Sequence, residues 1–385
     1  MTIFGQPIRT GLSFDDVLLV PHRTRVRSRA DVDTTVDLAP GVRLWVPVIG
    51  ANTQWCTGGA MAAALARVGG LGFVHRMQTV ERQATHIASV KSGPVGTGPA
   101  TVDPVGRLLV GAAVGTKGDY LDRAALMVEH GADLLLVDVA HGHSDQVIDT
   151  VGKLHARHPR VPIVAGNVAT AGGTNDLLDA GADVVKVGIG PGGVCTTRLV
   201  AGSGVPQLTA IIDCAHAAAQ RDATVIADGG VRQSGDLAKA LAAGAAAVML
   251  GSALAGADES EAGVVDLPDG SRYRCSRGFA TLGMANTLRA AAGGRLTRDD
   301  VVGYIPEGVE MTFAPSGPVA DTVYQLVGGL RSAMSYTGAA DMAEFRRLAE
   351  FIRVTPAGRA ENAPHAAERA PQPAPDFRAE AVAQI

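Results

Sequence analysis

The chain is poor in aromatics and in cysteine, and it has no long apolar run. Phe, Trp and Tyr make up 4% of its 385 residues, so its core must be built from small aliphatic side chains rather than large rings. No stretch reaches the roughly 18 consecutive apolar residues of a membrane span, and a helical membrane protein is not expected. Neither sign of charge dominates. Thirty-four Lys and Arg against 38 Asp and Glu give a formal net charge of −4, without the basic surplus of a nucleic-acid binder. The opening "MTIFGQPIRTGLSFDD" has no apolar h-region, so no secretory signal is read there. The 4 cysteines, Cys56, Cys195, Cys214 and Cys275, form no C-x-x-C pair. A zinc site is therefore not expected, and free thiols in a reducing cytoplasm are.

Glycine is what the chain has in excess. Its 48 glycines are well above an ordinary share of about 7% and suit close helix-on-strand packing and backbone-lined ligand sites. Short β-branched runs recur: "VPVIGAN" from Val46, "GLGFVHR" from Gly70, "LLVGAAVG" from Leu108 and "LLLVDVA" from Leu134. "PIVAGNVAT" from Pro162, "VVKVGIG" from Val184, "TVIADGG" from Thr224 and "AVMLGSA" from Ala247 follow. Between them lie Ala/Leu-rich stretches of helical spacing, such as "YLDRAALMVEHGAD". Continuous apolar strands alternating with helices are the parallel-sheet pattern. Eight such units over roughly 250 residues predict a (β/α)8 TIM barrel, with an open doubly wound sheet as the rival. The recurring "GAD" and "GAA" predict helix C-caps ahead of a strand. One catalytic domain is expected over residues 1–362. It holds a Gly/Pro-rich linker at 91–107 and a long irregular mobile flap at about 286–313, and a disordered Ala/Pro-rich tail follows at 363–385.

Active sites of such barrels lie at the C-terminal ends of the strands. After the sixth run comes "GIGPGGVCTTR". Cys195 stands there among Gly188, Gly190, Gly192 and Gly193, whose bare backbone admits a ligand and can hold an anion. Its thiol is either a nucleophile activated by neighbouring cations or amides, or an ordinary loop cysteine. Cys56, after the first run, is a second thiol able to face the site, whereas Cys214 in "IIDCAHAAA" reads as core. Asp228-Gly229-Gly230 follow the seventh run and Gly251-Ser252 the eighth, where this fold usually binds phosphate. Asp228 suits a ribose diol; the alternative is that the glycines only make tight turns. Asp138, His141 and His143 follow the fourth run. They read as polar cofactor or loop contacts, since no third metal ligand stands at a matching spacing. Gly166, Asn167 and Thr170 offer further polar contacts after the fifth.

Taken in order, these motifs resemble the IMP dehydrogenase and GMP reductase family. "GLSFDDVLLVPHRTRVRSRADVD", "GNVAT", "KVGIGPGGVCTTR", "GVPQLTA", "IADGG", "LGSALAG", "GGLRSAMSYTGA" and "FIRVT" carry the likeness, from about Gly11 to Thr355. The resemblance implies a barrel assembled as a homotetramer, a purine nucleoside 5′-monophosphate as ligand, and attack by Cys195 on purine C2. It also implies that the linker at 91–107 stands where many family dehydrogenases carry inserted regulatory domains. The family runs two reactions through a thioimidate at C2. Dehydrogenases pass hydride from IMP to NAD and hydrolyse the intermediate, using an Arg-Tyr pair on the flap. Reductases displace ammonia from GMP and take hydride from NADPH. The matching stretch here, "LRAAAGGRLTRDDVVGYIPEG", has no Arg-Tyr pair, and "GAN" and "DVAHG" are similar to the reductase forms.

The resemblance therefore implies an NADPH-dependent, GMP-reductase-like oxidoreductase acting on GMP or a close guanine-nucleotide analogue. Cys195 is its nucleophile. Thr197 and Glu307 relay the proton that an amine needs to leave, unless Glu307 only recognises the purine. Asn52, Gly193, Asp228, Gly229, Gly230, Gly251, Ser252, Gly278, Phe279 and Ala280 are implied to bind the nucleotide. Asp138, Val139, Ala140, Asn167, Gly188 and Gly190 are implied to bind NADPH. A potassium ion on the carbonyls of Gly190, Gly192 and Cys195 is implied by likeness to the dehydrogenases. Two alternatives stand beside this reading. One is an NAD-dependent IMP dehydrogenase with Arg289, Arg295 or Arg298 as base. The other is a catalytically silent purine-nucleotide binder, motivated by departures from the family pattern: Ala51-Asn52-Thr53-Gln54-Trp55 for A-N-M-D-T, Arg76 for lysine, Gly193 for serine, and Ser276-Arg277-Gly278-Phe279-Ala280-Thr281 for Y-R-G-M-G-S.

Overall fold

The computed structural model describes residues 2–3, 6–266, 270–277, 281–291, 294–295, 297 and 305–362. Every one of the eight apolar runs contains a strand. These are β1 (Val48–Gly50), β2 (Leu71–Val74), β3 (Gly111–Val114), β4 (Leu134–Asp138), β5 (Ile163–Val168), β6 (Val184–Val187), β7 (Thr224–Asp228) and β8 (Ala247–Leu250). They pair in parallel and in sequence order, and β8 closes on β1, so the sheet is a closed barrel. This is the predicted (β/α)8 fold, and the open sheet is excluded. Residues such as Val137, Val164 and Val185 are wholly buried, because helices cover one face of each strand and the barrel interior the other.

The helices are α1 (Gly59–Arg67), α2 (Val80–Ser92), α3 (Tyr120–Glu129), α4 (Asp145–Arg157), α5 (Ala171–Asp179), the single turn α6 (Thr197–Val200), α7 (Gln207–Ala219) and α8 (Ser234–Ala242). Helices α3, α5 and α8 end as their sequences predict. Gly131, Gly181 and Gly244 follow them at φ of +96°, +104° and +112°, where a side chain would be strained, and each turns its helix into the next strand. The opposite end of the barrel is covered by a hairpin of Val36–Ala39 with Val42–Leu44, whose Leu38 carbonyl accepts from Thr224 Oγ1 at the start of β7.

Two expectations change. The linker at 91–107 begins inside α2. Lys91 there is buried and donates to Asp103 (2.9 Å), to both oxygens of Asp133 (2.9 Å) and to Leu108 O (3.0 Å). The flap is not irregular throughout. Strands β9 (Gly263–Asp266), β10 (Arg272–Arg277) and β11 (Glu310–Phe313) form an antiparallel sheet, and helix α9 (Leu282–Ala291) lies between the last two. Helix α10 (Val319–Thr337) then packs on α8, so closely that a Cβ on Gly329 would meet Ser234 Cβ at 2.2 Å. The tail at 363–385 lies outside the described residues. Among the described residues no helix is long and apolar enough to cross a membrane.

Candidate active site

Two contiguous cavities open at the C-terminal ends of the strands, of about 370 Å³ and about 200 Å³. Ala51, Thr53, Trp55, Gly192, Asp228 and Gly229 line both. The larger is walled by Gly193, Gly229, Gly230, Gly251 and Ser252, the glycine turns expected to take a phosphate. Arg198, read in the sequence only as a neighbour of Cys195, and Arg232, missed there, line it as well, with Ser13 to Asp15 of the N-terminal segment. Arg232 pairs with Asp15 and lies 3.5 Å from Asp236.

The smaller cavity is walled by Asn52, Asp138, Val139, Ala140, Asn167, Lys186, Gly188, Gly190, Cys195 and Thr197. It therefore gathers the residues expected to touch a cofactor together with the thiol. Cys195 is partly exposed, and its Sγ donates to Thr197 Oγ1 at 3.2 Å. The loop that carries it is pinned on both sides. Cys195 N donates to Gly192 O (3.1 Å), Thr196 N to Glu307 O (2.9 Å) and Val309 N to Val194 O (2.9 Å). Cys195 thus bridges Gly308 in antiparallel fashion, and the segment leading into β11 lies along the thiol loop. Glu307 is held beside Thr196 by its backbone, but its side chain is not among the lining groups of either cavity. Burial draws the Arg198 guanidinium below its ordinary value, against the pull of the nearby Cys195.

Gly188 is a position where only glycine fits. Its φ is +150°, and a Cβ there would lie 2.1 Å from Asp228 O. The absence of a side chain there lets the ends of β6 and β7 pack closely, with Asp228 at the mouth. Gln207 ties the same ends together, donating to Val187 O (2.9 Å) and Asp228 O (3.1 Å). Asn52 is buried and bonded to Asp138. Burial alone would lift the Asp138 carboxyl. Lys186 beside it, with Arg76 and the Asn52 hydrogen bond, holds it below the ordinary carboxylate range.

Other sequence candidates are placed elsewhere. Cys56 does not face the site. It is fully buried, its Sγ donates to Leu250 O (3.6 Å), and burial pushes its thiol up to about 11. Cys214 is core, as expected, and is likewise pushed up to about 11. Thr170 caps α5, accepting from Gly173 N (3.2 Å), and makes no wall of either cavity. His143 pairs with Asp176 at 2.7 Å, with the His141 ring 6.4 Å away. Among the described residues no three His, Cys, Asp or Glu side chains converge as a metal site. Gly278, Phe279, Ala280 and Arg298 lie outside the described residues. Lys186 was overlooked, although a lone charge in an apolar strand run was the signal for it.

Comparison with known proteins gives a consistent family. The family model described as IMP dehydrogenase / GMP reductase domain matches residues 11–365. Inosine-5′-monophosphate dehydrogenase of Bacillus subtilis is 38% identical over 93% of this chain and 96% of its own length. That of Aquifex aeolicus is 37% identical over the same shares. The Bacillus alignment spans 472 positions, more than the 385 residues here, so the relative carries sequence with no counterpart in this chain. Among solved structures, a Cys-to-Ala variant of GMP reductase from Trypanosoma brucei in complex with guanosine 5′-monophosphate superposes with a TM-score of 0.88 at 34% identity. It covers 94% of this chain and 99% of its own.

Proposed function

The chain belongs to the IMP dehydrogenase and GMP reductase family of oxidoreductases, and on that premise we propose that it is an NADPH-dependent reductase converting GMP, or a close guanine-nucleotide analogue, to IMP. The observation that carries this is the Cys195 thiol, 3.2 Å from the Thr197 hydroxyl on the wall of a cavity that shares Asp228 and Gly229 with the glycine-lined one. The phosphate takes the larger cavity, among the Gly229–Gly230 and Gly251–Ser252 amides and Arg198 and Arg232. Asp228 accepts from the ribose. The purine then reaches toward Cys195. Phosphate binding by Gly278, Phe279 and Ala280 belongs to the same proposal.

The Cys195 thiolate adds to C2, and the amine leaves as ammonia once protonated, with Thr197 and Glu307 relaying the proton. A thioimidate remains on Cys195. Asp138 suits the diol of a nicotinamide nucleotide, and it lines the smaller cavity with Gly188 and Gly190, so that cavity fits the cofactor. The reduced cofactor, when bound there, supplies the hydride that C2 receives. The C–S bond then breaks, returning the thiolate and giving IMP. A potassium ion on the Gly190, Gly192 and Cys195 carbonyls and a homotetrameric assembly complete the proposal.

The choice of reductase rests on the sequence, which has no Arg-Tyr pair to activate water. The dehydrogenase reading is favoured by the name of the 38% identical relative. Nicotinamide absorbance decides between them. GMP with NADPH is expected to oxidise the cofactor, and IMP with NAD to leave it unchanged. Reduction of NAD with IMP, and no oxidation with GMP or its analogues, would hand the assignment to the dehydrogenase. Identical behaviour of wild type and Cys195→Ala under both pairs would make the chain a silent nucleotide binder.

A further inference from the structure

Lys186 has no part in the assignments above. It is the one charged residue of β6, its side chain 3% exposed, and an unpaired ammonium at that depth would be heavily penalised. Its three protons meet three acceptors: Asp138 Oδ1 (2.9 Å), Asp228 Oδ2 (2.5 Å) and Asn167 Oδ1. The register explains the reach. Asp138 of β4 stands opposite Gly166 of β5, and Gly166 opposite Lys186 of β6. A Cβ on Gly166 would lie 2.7 Å from Lys186 Cβ, so only bare backbone lets the lysine cross that strand. Asn167 closes the network, donating to Asp228 Oδ2 (2.9 Å) and to Gly188 O (2.7 Å). Both protein donors fall on Asp228 Oδ2, and among the described residues nothing donates to its Oδ1.

We propose that Lys186 is a positioning residue that locks the carboxylates of Asp228 and Asp138 into one unit of net charge −1, aiming Asp228 at the nucleotide ribose and Asp138 at the second ligand. The inference rests on the nucleotide assignment but not on the direction of the reaction. With every proton of the ammonium used, neither carboxylate turns without disturbing the other. Charge counting then sets the consequences. Without Lys186, the buried Asp138 and the half-buried Asp228 carboxylates lose the cation between them, and their repulsion favours taking up a proton. The other ionisable groups around them are Arg76, which acts on Asp138, the Cys195 thiol on the same wall, and Arg198, Arg232 and Asp15 on the adjoining one. None of these replaces a cation placed between the pair.

The test is equilibrium binding of GMP, IMP and their 2′-deoxy forms, without cofactor or turnover, at several pH values. Wild type and Lys186→Arg are expected to prefer the ribonucleotides with little dependence on pH. Lys186→Met is expected to lose about tenfold of the ribo-to-deoxyribo preference, with the loss growing as the pH is lowered. Asp138→Asn brings the unit to zero net charge. It is expected to weaken ribonucleotide binding about threefold while barely touching the deoxy forms. Equal weakening of both forms at every pH in Lys186→Met overturns the proposal. Where that variant does not fold, unchanged nucleotide affinity in Asp138→Asn overturns it. If wild type binds neither GMP nor IMP, the functional assignment fails first and takes this inference with it.

Discussion

Replacing Gly188 by alanine tests how closely the strand ends are packed at the mouth. The new methyl would meet Asp228 O at 2.1 Å and Gln207 Nε2 at 3.1 Å, on a residue whose φ is +150°. A side chain in that backbone region costs about 1–3 kcal/mol, and overpacking against backbone costs about 1–3 kcal/mol more. A loss of about 4 kcal/mol is a large part of the ~5–15 kcal/mol that holds a domain together. Relief would come from moving Asp228 away, which pulls its carboxylate off Lys186 and Asn167 and out of the nucleotide's reach. Urea unfolding should therefore show a lowered midpoint, and GMP or IMP should bind at least about tenfold more weakly, for the loss of one charge-assisted hydrogen bond. The crowding argument would be refuted by an unfolding free energy within about 0.5 kcal/mol of wild type together with unchanged nucleotide affinity.

Neighbouring glycines of α10 should respond with opposite sign. Gly328 has nothing within 4 Å of a built Cβ, so Gly328→Ala should stabilise by about 0.5–1 kcal/mol. Gly329→Ala, driven into Ser234, should destabilise by about 1–3 kcal/mol in the same urea titration. Cys195→Ala should abolish turnover and the mass-spectrometric adduct while leaving nucleotide affinity within about threefold, whereas the buried Cys56→Ala should keep the adduct; an adduct surviving in Cys195→Ala would sink the assignment. Lys91→Met leaves Asp103 and Asp133 facing each other and should cost about 3–5 kcal/mol, read by thermal or urea unfolding. Burial pushes the Asp103 carboxyl up, but hydrogen bonds from Lys91 and Arg107 hold it below the ordinary carboxylate range. The folded chain thus binds fewer protons there, so this stability is full above about pH 4 and is lost as pH falls. Asp103→Asn should flatten the acid limb of a pH–stability curve, and an unchanged limb would show that Asp103 does not set it.

The barrel was legible because burial on both faces leaves no room for alternation. Runs such as "LLLVD" and "VVKV" could only be interior strands, and the glycines after α3, α5 and α8 marked their turns by a purely local rule. The sheet of β9, β10 and β11 was not legible, for the opposite reason. All of "GVVD" in β9 is exposed and "EMTF" in β11 nearly so, so neither carries a buried face, and β10 finds β11 from the far side of α9. In the site, Cys195, Asp228 and the glycine turns followed from their places after strands. Thr170 was misplaced because a threonine three residues before Gly173 serves a helix N-cap as well as a ligand. Cys56 was misplaced because the turn after β1 folds its thiol under Leu250. Lys186 was announced as a lone charge in an apolar run, but its partners, 48 residues before it and 42 after it, were not, because no local pattern pairs residues on separate strands.

The same distinction bears on why a relative named dehydrogenase and a structural neighbour named reductase are both close to this chain. Sequence identity and superposition count every position, and most positions build the barrel. In the proposed mechanism the groups at the mouth, Cys195 with Thr197, the glycine turns and the Lys186 network, serve the step that both reactions share, addition of a thiol to C2 of a held nucleotide. What separates the reactions is the next event at that carbon, attack by an activated water or departure of a protonated amine. In the proposed mechanism that event depends on the sequence between α9 and β11, whose Glu307–Val309 part lies along the thiol loop. The missing Arg-Tyr pair falls in that segment. For the proposed direction, one base absent from the sequence of that segment therefore weighs more than a 38% or a 34% identity spread across the whole fold.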